Sequence, residues 1–303
     1  MRTVNLFDKD IPIRDFGCNY DGLKAQRYEK DRVNLFIQVT DSCNASCAFC
    51  NWHKEQHKDF NLNKLSMILK ELKSHDNLEV GKLNFTGGEP TLDIIKFNEV
   101  VGCVRDYFTK EDDTEITLNT NGIHLLDLVY YDKILNSIGL SRHYYEDGIN
   151  SQIFGSDKVA TAETIKEFQS RVRDKRLVQL RCNLITGYVD SAYEMEKYMQ
   201  KAISIGCYDC GFVTLMHCND YCLSHQVEFN SLISGLQNVL QVNHCTREEN
   251  GKEVCKCCNY VYTHDGLFCK FYSRLFSHYS LYEGQLVYDG EYLRYGFDGE
   301  IIV

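Results

Sequence analysis

The sequence has little proline, little tryptophan and no long apolar run. Of its 303 residues, 2 are Pro and 1 is Trp, so no Pro-rich linker separates domains. Every uncharged stretch falls far short of the ~20 apolar residues that cross a bilayer, so no membrane span is expected. Because Met1–Asn5 leads into no apolar h-region, we also expect no signal peptide and a cytoplasmic location.

The chain also lacks an excess of basic residues. Its formal net charge is −10, which argues against broad binding to a nucleic-acid backbone, because such binding needs a surface rich in Lys and Arg. A single nucleotide or a short RNA loop remains compatible with this charge. With 44% hydrophobic residues, the chain is long enough to bury a real core, as one large domain or two smaller ones.

Cysteine, in contrast, is abundant, with 15 residues. In a reducing compartment, clustered thiols indicate metal ligands or catalytic groups rather than disulfides. Three solitary cysteines are interpreted as small buried apolar side chains: Cys18, Cys103 and Cys182. The remaining cysteines form two groups, which carry most of the functional information.

Strand-like runs and helical periodicities alternate about six times between residues 35 and 216. Strands are predicted at 35–39, 82–86, 115–119, 137–141, 177–185 and 211–216. Helices are predicted at 61–74, 93–108, 125–135, 160–173 and 191–205. The alternation predicts βα units around a parallel sheet, with functional loops at the C-terminal ends of the strands. Residues 1–31 are interpreted as a polar, irregular extension, and residues 217–303 as an appended irregular or antiparallel element.

The first group of cysteines follows the first predicted strand. Cys43, Cys47 and Cys50 have the spacing C-x3-C-x2-C. Three thiolates in one short loop can bind one face of an iron–sulfur cube and leave one iron open to a small molecule. One alternative is a zinc site with His53 or His57 as the fourth ligand, and another is three buried thiols that bind no metal. The cysteine spacing alone leaves these alternatives open.

Two motifs at consecutive strand ends carry a family resemblance. Phe49 precedes the last cysteine of the first loop, and the second strand ends in Gly87-Gly88-Glu89-Pro90. In this order the motifs resemble the radical S-adenosylmethionine (SAM) superfamily, over about residues 33–217. The resemblance implies an α/β fold, a partial (β/α)6 TIM-like barrel over residues 32–217. It also implies that a 4Fe–4S cluster reductively cleaves SAM to a 5′-deoxyadenosyl radical, which abstracts hydrogen from a substrate.

The same resemblance implies roles for individual residues. Cys43, Cys47 and Cys50 would ligate the cluster, and Phe49 would lie near the adenine. The methionyl ammonium would meet Gly87, Gly88 and Glu89, with Pro90 fixing the turn. Further candidates for SAM or substrate contact are Asn119, Ser141, Arg181 and Asn183. A plain turn is the alternative for Asn119 and its neighbours, and a salt bridge to a protein carboxylate is the alternative for Arg181.

The second group of cysteines lies in the C-terminal third: Cys207, Cys210, Cys218, Cys222, Cys245, Cys255, Cys257, Cys258 and Cys269. An apolar strand and an Asp-Gly turn between Cys258 and Cys269 predict a hairpin. This resembles the auxiliary-cluster region of radical SAM enzymes with SPASM or Twitch extensions, here residues 218–303. Because no Cys follows Cys269, one cluster of the Twitch type is expected. Its predicted ligands are Cys245, Cys255, Cys258 and Cys269, with Cys222 or Cys257 as alternatives to Cys245 and a zinc ribbon as the alternative site.

The resemblance predicts an enzyme that oxidises, cyclises or crosslinks a small-molecule or peptide substrate. It also implies an electron donor such as flavodoxin or ferredoxin. Modification of a nucleoside or RNA is one alternative, and a non-catalytic iron–sulfur or zinc protein is another. A zinc hydrolase is disfavoured because no H-E-x-x-H occurs. The chain ends in Glu300–Val303 without the Gly-Gly tail of the family's molybdenum-cofactor cyclase, so that activity is not expected.

Overall fold

A computed structural model describes most of the chain. The described residues are 3–18, 25–50, 59–237, 240–241, 248–249, 252–253, 259–264, 266–272, 284–297 and 299–303. The predicted ligands Cys245, Cys255 and Cys258 lie outside these ranges, as do the alternative ligands His53, His57 and Cys257.

The strands, numbered along the chain, are β1 (Thr3–Leu6), β2 (Lys9–Pro12), β3 (Arg14–Cys18), β4 (Ala25–Thr40), β5 (Leu78–Gly87), β6 (Glu115–Thr120), β7 (Ser137–Ser141), β8 (Val178–Leu184), β9 (Asp209–Thr214), β10 (Leu240–Gln241), β11 (Glu248–Glu249), β12 (Lys252–Glu253), β13 (Asn259–His264), β14 (Leu267–Tyr272), β15 (Gln285–Tyr288) and β16 (Leu293–Tyr295). The helices are α1 (Leu62–Ser74), α2 (Ile94–Arg105), α3 (Asp147–Phe154), α4 (Ala162–Arg171), α5 (Ala192–Ser204), α6 (Asp220–Ser224) and α7 (Phe229–Ser234), with a 3-10 helix at Leu125–Lys133.

Strands β4 to β9 form the centre of the fold. They pair in parallel and in sequential order, with helical segments in each connection. Among the described residues, the sheet runs β10-β13-β14-β9-β8-β7-β6-β5-β4-β15-β16, and its two ends do not pair. The predicted α/β fold with a partial barrel is therefore confirmed. No helix within the described residues is long and apolar enough to cross a bilayer.

Apolar spacing explains why these segments form these elements. Leu65, Ile68, Leu69 and Leu72 lie on one face of α1 and are buried, and the Asn61 side chain caps the helix by accepting the Lys64 N–H at 3.0 Å. Strand β8 instead alternates buried and part-exposed residues. The buried residues of β8 therefore pack into the core. The part-exposed residues, Gln179, Arg181 and Asn183, lie on the opposite face of the sheet, which we call its inner face.

The N-terminal segment is not irregular, so that prediction was wrong. Strands β1 and β2 form an antiparallel hairpin, and β3 pairs with β4, which begins at Ala25. In β1, Val4 and Leu6 are buried while their neighbours are exposed. This period of two covers only two apolar residues within a polar segment, which made the strand hard to detect.

The C-terminal segment adds strands to both edges of the sheet. The predicted hairpin is confirmed as β13 and β14, with Gly266 in the turn at φ 79°. However, β14 pairs in parallel with β9, and β15 pairs in parallel with β4. The prediction of an appended irregular or antiparallel element was wrong on this point. Helices α3, α6 and α7 were also not predicted.

Candidate active site

The loop with the first three cysteines follows β4 and is held by the C-terminal end of α3 and the residues after it. The Ser46 N–H donates to the Phe154 carbonyl at 2.8 Å, and the Asn44 side chain donates to the Lys158 carbonyl at 2.6 Å. Cys43 and Cys47 are part-buried, and Cys50 is exposed. The loop thus has a fixed backbone with its three thiols at or near the surface.

Gly87 and Gly88 join this loop to the end of β5. The Gly88 N–H donates to the Thr40 carbonyl at 2.8 Å. A Cβ on Gly88 would lie 2.2 Å from the Ser42 carbonyl oxygen, and one on Gly87, at φ 131°, would lie 2.4 Å from the Thr40 oxygen. Only glycine permits this approach. The two glycines therefore allow the end of β5 to pack against the backbone that leads into Cys43.

Glu89 links the ends of β5 and β6. It is 1% exposed, and its carboxylate accepts hydrogen bonds from the Thr91 N–H at 3.0 Å, the Thr91 hydroxyl at 2.6 Å, the Thr120 hydroxyl at 2.6 Å and the Asn121 N–H at 2.7 Å. Burial raises the pKa of Glu89, and the four donors oppose that shift. Pro90 beside it is also buried. The carboxylate is thus an anchor between two loops.

Asn121 carries this link to the cysteine loop, and the sequence reasoning did not single it out. Its side-chain nitrogen donates to Asn44 Oδ1 at 2.8 Å and lies 3.9 Å from the Cys43 sulfur. The available signal was the Asn-Thr-Asn-Gly run at the end of β6, from which Asn119 was selected instead. The loops after β4, β5 and β6 therefore form one hydrogen-bonded unit around Cys43.

His143, also not predicted, positions the ring of Phe49. The two rings meet edge to face with centroids 4.9 Å apart, and the His143 ring also stacks on Phe154 with centroids 4.8 Å apart. Its Nδ1 accepts the Asn183 N–H at 3.1 Å. Burial lowers the pKa of His143 to about 3, so the ring is neutral at neutral pH and its proton is assigned to Nε2.

The inner face of the sheet carries a row of polar side chains. The Asn119 side chain donates to Asn84 Oδ1 at 3.2 Å. A Cβ on Gly139 would lie 2.6 Å from Asn119 Oδ1, and one on Gly211 would lie 2.4 Å from Arg181 Nη1. The two glycines therefore make room for the neighbouring polar groups on this face.

Arg181 belongs to a charged layer at the base of this row. Its Nη1 lies 3.8 Å from Asp209 Oδ1, its Nη2 donates to Gln179, and Lys82 lies 3.5 Å from Glu115. Burial lowers the pKa of Lys82, against the attraction of Glu115 and with a contribution from Arg181. The salt bridge that was the alternative for Arg181 is thus present. Ser141 pairs with Arg181 across β7 and β8.

Cys269 lies within the buried part of the sheet. It pairs with Tyr262 in the hairpin and with Cys210 on β9, and its side chain hydrogen-bonds that of Cys210. Cys182 and Cys207 are buried nearby, so the prediction of a buried Cys182 is confirmed. Burial raises the pKa of Cys182 well above its ordinary value and that of Cys207 to about 12. Such thiols are unreactive.

The chemistry of the cysteine loop fits an iron–sulfur cluster. Cys43 and Cys47 are part-buried and Cys50 is exposed, so one loop presents three thiols. Thiolates are the ligands of such clusters. Cys43, Cys47 and Cys50 would each bind one iron of a 4Fe–4S cluster and would leave the fourth iron open.

Comparison with known families identifies the family of this chain. The profile of the Radical SAM superfamily matches residues 37–195, just over half of the chain. The chain belongs to the radical SAM superfamily. It is therefore an iron–sulfur enzyme that uses SAM, and the match includes the cysteine loop and the Gly87–Pro90 turn.

Curated relatives share part of this region. The GTP 3′,8-cyclase of Peptoclostridium acidaminophilum is 33% identical over 178 residues, which cover 54% of this chain and 50% of the relative. The probable GTP 3′,8-cyclase of Saccharolobus islandicus strain Y.N.15.51 is 27% identical over 184 residues, which cover 59% of this chain and 56% of the relative. The chain thus spans about half the length of the curated relatives it matches.

Two SAM-bound solved structures are also similar. Streptococcus suis SuiB bound to S-adenosylmethionine is 16% identical with a TM-score of 0.49, covering 63% of this chain and 42% of SuiB. The protein anSMEcpe with bound AdoMet is 18% identical with a TM-score of 0.45. The match covers 60% of this chain and 51% of the anSMEcpe chain. At these scores the substrates of those proteins do not transfer to this chain.

Proposed function

We propose that this radical SAM enzyme oxidises, cyclises or crosslinks a small polar molecule bound against the inner face of the sheet. The observation that carries the proposal is the row of Asn84, Asn119 and Arg181. Amide and guanidinium groups there provide donors and acceptors for a hydrogen-bonding ligand, which an apolar face would not. The named activity of the curated relatives makes a purine nucleotide the first substrate class to test.

The cofactor-binding residues follow from the family and the site geometry. Cys43, Cys47 and Cys50 would hold the cluster, while Phe49 and the Gly87–Pro90 turn would hold SAM, with Asn119, Ser141, Arg181 and Asn183 as further contacts. When bound, the cluster and SAM supply the radical that removes a hydrogen atom from the substrate.

The protein's own groups keep that site in place. Glu89 and Asn121 fix the loop that carries Cys43 through hydrogen bonds. His143 contacts the ring of Phe49 edge to face and is itself stacked on Phe154, which fixes the position of the His143 ring beside Phe49. These groups act as positioning residues, because their hydrogen bonds are made to other protein groups.

For the C-terminal region we propose a Twitch-like auxiliary 4Fe–4S site on Cys245, Cys255, Cys258 and Cys269, with an external flavodoxin or ferredoxin as electron donor. The β13–β14 hairpin supports this proposal, and the burial of Cys269 beside Cys210 argues against that ligand. Iron content of the Cys269→Ala variant tests it, with Cys182→Ala as the control for a buried thiol. Loss of about four irons by Cys269→Ala alone supports the site, and unchanged iron rules out this ligand.

The substrate proposal is tested by substrate-dependent SAM cleavage. The reconstituted enzyme is assayed for 5′-deoxyadenosine with SAM alone, with GTP, with an oligoribonucleotide and with a peptide. We expect GTP or another nucleotide to raise the rate, and Asn84→Leu, in the polar row but outside the proposed SAM contacts, to remove that increase while leaving SAM-only cleavage intact. Asn5→Leu, at an exposed position of the N-terminal hairpin, is the matched control. Stimulation by the peptide or the oligoribonucleotide alone would contradict a small-molecule substrate.

A further inference from the structure

Cys218 and Cys222 bring two sulfur atoms close together beside the cysteine loop. Their sulfurs are 3.3 Å apart, and no disulfide joins them. Cys218 is exposed, whereas Cys222 is buried just behind it. A solute can therefore reach one sulfur of the pair, and the other lies in contact with the first.

The pair is held against the backbone of the cysteine loop. Asn219 Oδ1 accepts the Cys222 N–H at 2.9 Å, and its Nδ2 donates to the Ala48 carbonyl at 3.1 Å. Both thiols point at the Phe49 carbonyl oxygen, at 3.6 Å for Cys218 and 3.4 Å for Cys222. The pair thus contacts the residue directly before Cys50.

Other buried thiols of the described chain do not share these properties. Cys182, Cys207, Cys210 and Cys269 are fully buried in the core, where solutes cannot reach them. A metal ion on Cys218 and Cys222 lacks a third ligand among the described residues. What remains distinctive about the pair is one accessible thiol in contact with a second, protected one.

We propose that Cys218 and Cys222 form a thiol–disulfide exchange site for low-molecular-weight disulfides. The Cys218 sulfur attacks the disulfide of the solute, which releases one solute thiol and leaves a mixed disulfide on Cys218. The Cys222 sulfur then attacks that mixed disulfide, which forms the Cys218–Cys222 bond and releases the second solute thiol. The two cysteines lose two electrons and two protons, and the solute disulfide gains them.

Closing this bond changes the support of the cysteine loop. A disulfide brings the sulfurs from 3.3 Å to about 2.05 Å and removes both S–H hydrogens. The Phe49 carbonyl then loses both thiol donors. Because groups that orient metal ligands typically change metal affinity by about tenfold or more, we expect iron release to a chelator to accelerate by about tenfold after oxidation. This consequence assumes the cluster at Cys43, Cys47 and Cys50, whereas the exchange reaction does not.

The experiment uses the reconstituted holoenzyme under anaerobic conditions, titrated with glutathione disulfide at increasing oxidised-to-reduced ratios. Alkylation followed by peptide mass spectrometry identifies each disulfide. We expect a reversible Cys218–Cys222 bond in the wild type and a trapped glutathione adduct at Cys218 in the Cys222→Ser variant. The Cys218→Ser variant should give neither product at Cys222. Cys103→Ser, which alters a solitary part-buried thiol, should behave as the wild type.

Two results would overturn the proposal. One is the absence of both the wild-type bond and the Cys222→Ser adduct at oxidising ratios that modify other thiols. The other is alkylation of Cys218 and Cys222 only after metal is removed, which would make them metal ligands. Formation of the bond without SAM-cleavage activity would retain the exchange site and contradict only the function proposed above.

Discussion

Glu89 Oε2 accepts a 2.7 Å hydrogen bond from the backbone N–H of Asn121, 32 positions along the chain. The Asn121 side chain in turn donates to Asn44 Oδ1, in the loop between Cys43 and Cys47. The ends of β5 and β6 therefore share one buried acceptor, and the Asn121 side chain connects them to the loop after β4. Burial raises the pKa of Glu89, and the hydrogen bonds to its carboxylate oppose that shift.

Glu89→Gln should destabilise the fold. A glutamine has one acceptor oxygen in place of two, and its NH2 group would face donors that now point at the carboxylate. Leaving these donors unpaired lowers the free energy of unfolding by about 2 to 4 kcal/mol. Urea unfolding of the variant measures this loss, with the exposed Glu99→Gln as control. Equal losses in the two variants would contradict an anchoring role.

Gly88→Ala should disrupt SAM binding and stability together. Its new Cβ would lie 2.2 Å from the Ser42 carbonyl oxygen, so the two loops must separate. Gly102→Ala is the matched control, since a Cβ there meets nothing within 4 Å. In helix α2 that change should stabilise the fold by about 0.5 to 1 kcal/mol. Calorimetric SAM titration and thermal unfolding of both variants measure these effects. Normal SAM binding by Gly88→Ala would contradict the prediction.

Asn121→Ala should weaken iron binding while the chain stays folded. It removes the donor to Asn44 and the contact of the side-chain nitrogen with the Cys43 sulfur. Removal of such supporting groups typically lowers metal affinity by about 10- to 100-fold. Iron transfer to a competing chelator measures the change, with Asn5→Ala as the surface control. If both variants hold iron equally well, Asn121 does not support the ligand loop.

His143 should make the free energy of unfolding fall as the pH becomes mildly acidic. The native ring resists protonation until its pKa of about 3, whereas an unfolded histidine takes a proton near pH 6.5. Since the unfolded chain then binds more protons, stability falls as the pH drops through this window, by about 1.4 kcal/mol per unit.

The test compares His143→Gln with the wild type at pH 7 and pH 5. Glutamine keeps an acceptor for the Asn183 N–H but cannot titrate. The wild type should lose about 2 kcal/mol more unfolding free energy than the variant over this interval. Identical losses would show that His143 is protonated in the native state near its ordinary pKa.

The sequence predicted those parts of the fold that depend on local patterns. The βα units between residues 35 and 216 follow from apolar periodicity, and the cysteine loop and Gly87–Pro90 turn from short motifs. The parallel pairing of β14 with β9 and of β15 with β4 was not predicted, because it joins segments far apart in sequence.

The supporting residues of the site escaped prediction for the same reason. Asn121 and His143 act through contacts with residues more than 30 positions away. Neither the spacing of residues in the sequence nor its composition indicates such contacts. Asn119 and Arg181 were selected by position and lie on the inner face, but which ligand they contact stays a prediction.

Anaerobic reconstitution with iron and sulfide, followed by assay of 5′-deoxyadenosine after reduction with SAM, tests the central claim most directly. The wild type and Cys103→Ala should form 5′-deoxyadenosine, and Cys50→Ala should form none. About eight irons per wild-type chain would fit two 4Fe–4S clusters, and about four would fit the first cluster alone. Retained SAM cleavage by Cys50→Ala, or a wild type that binds zinc tightly and no iron, would contradict the assignment.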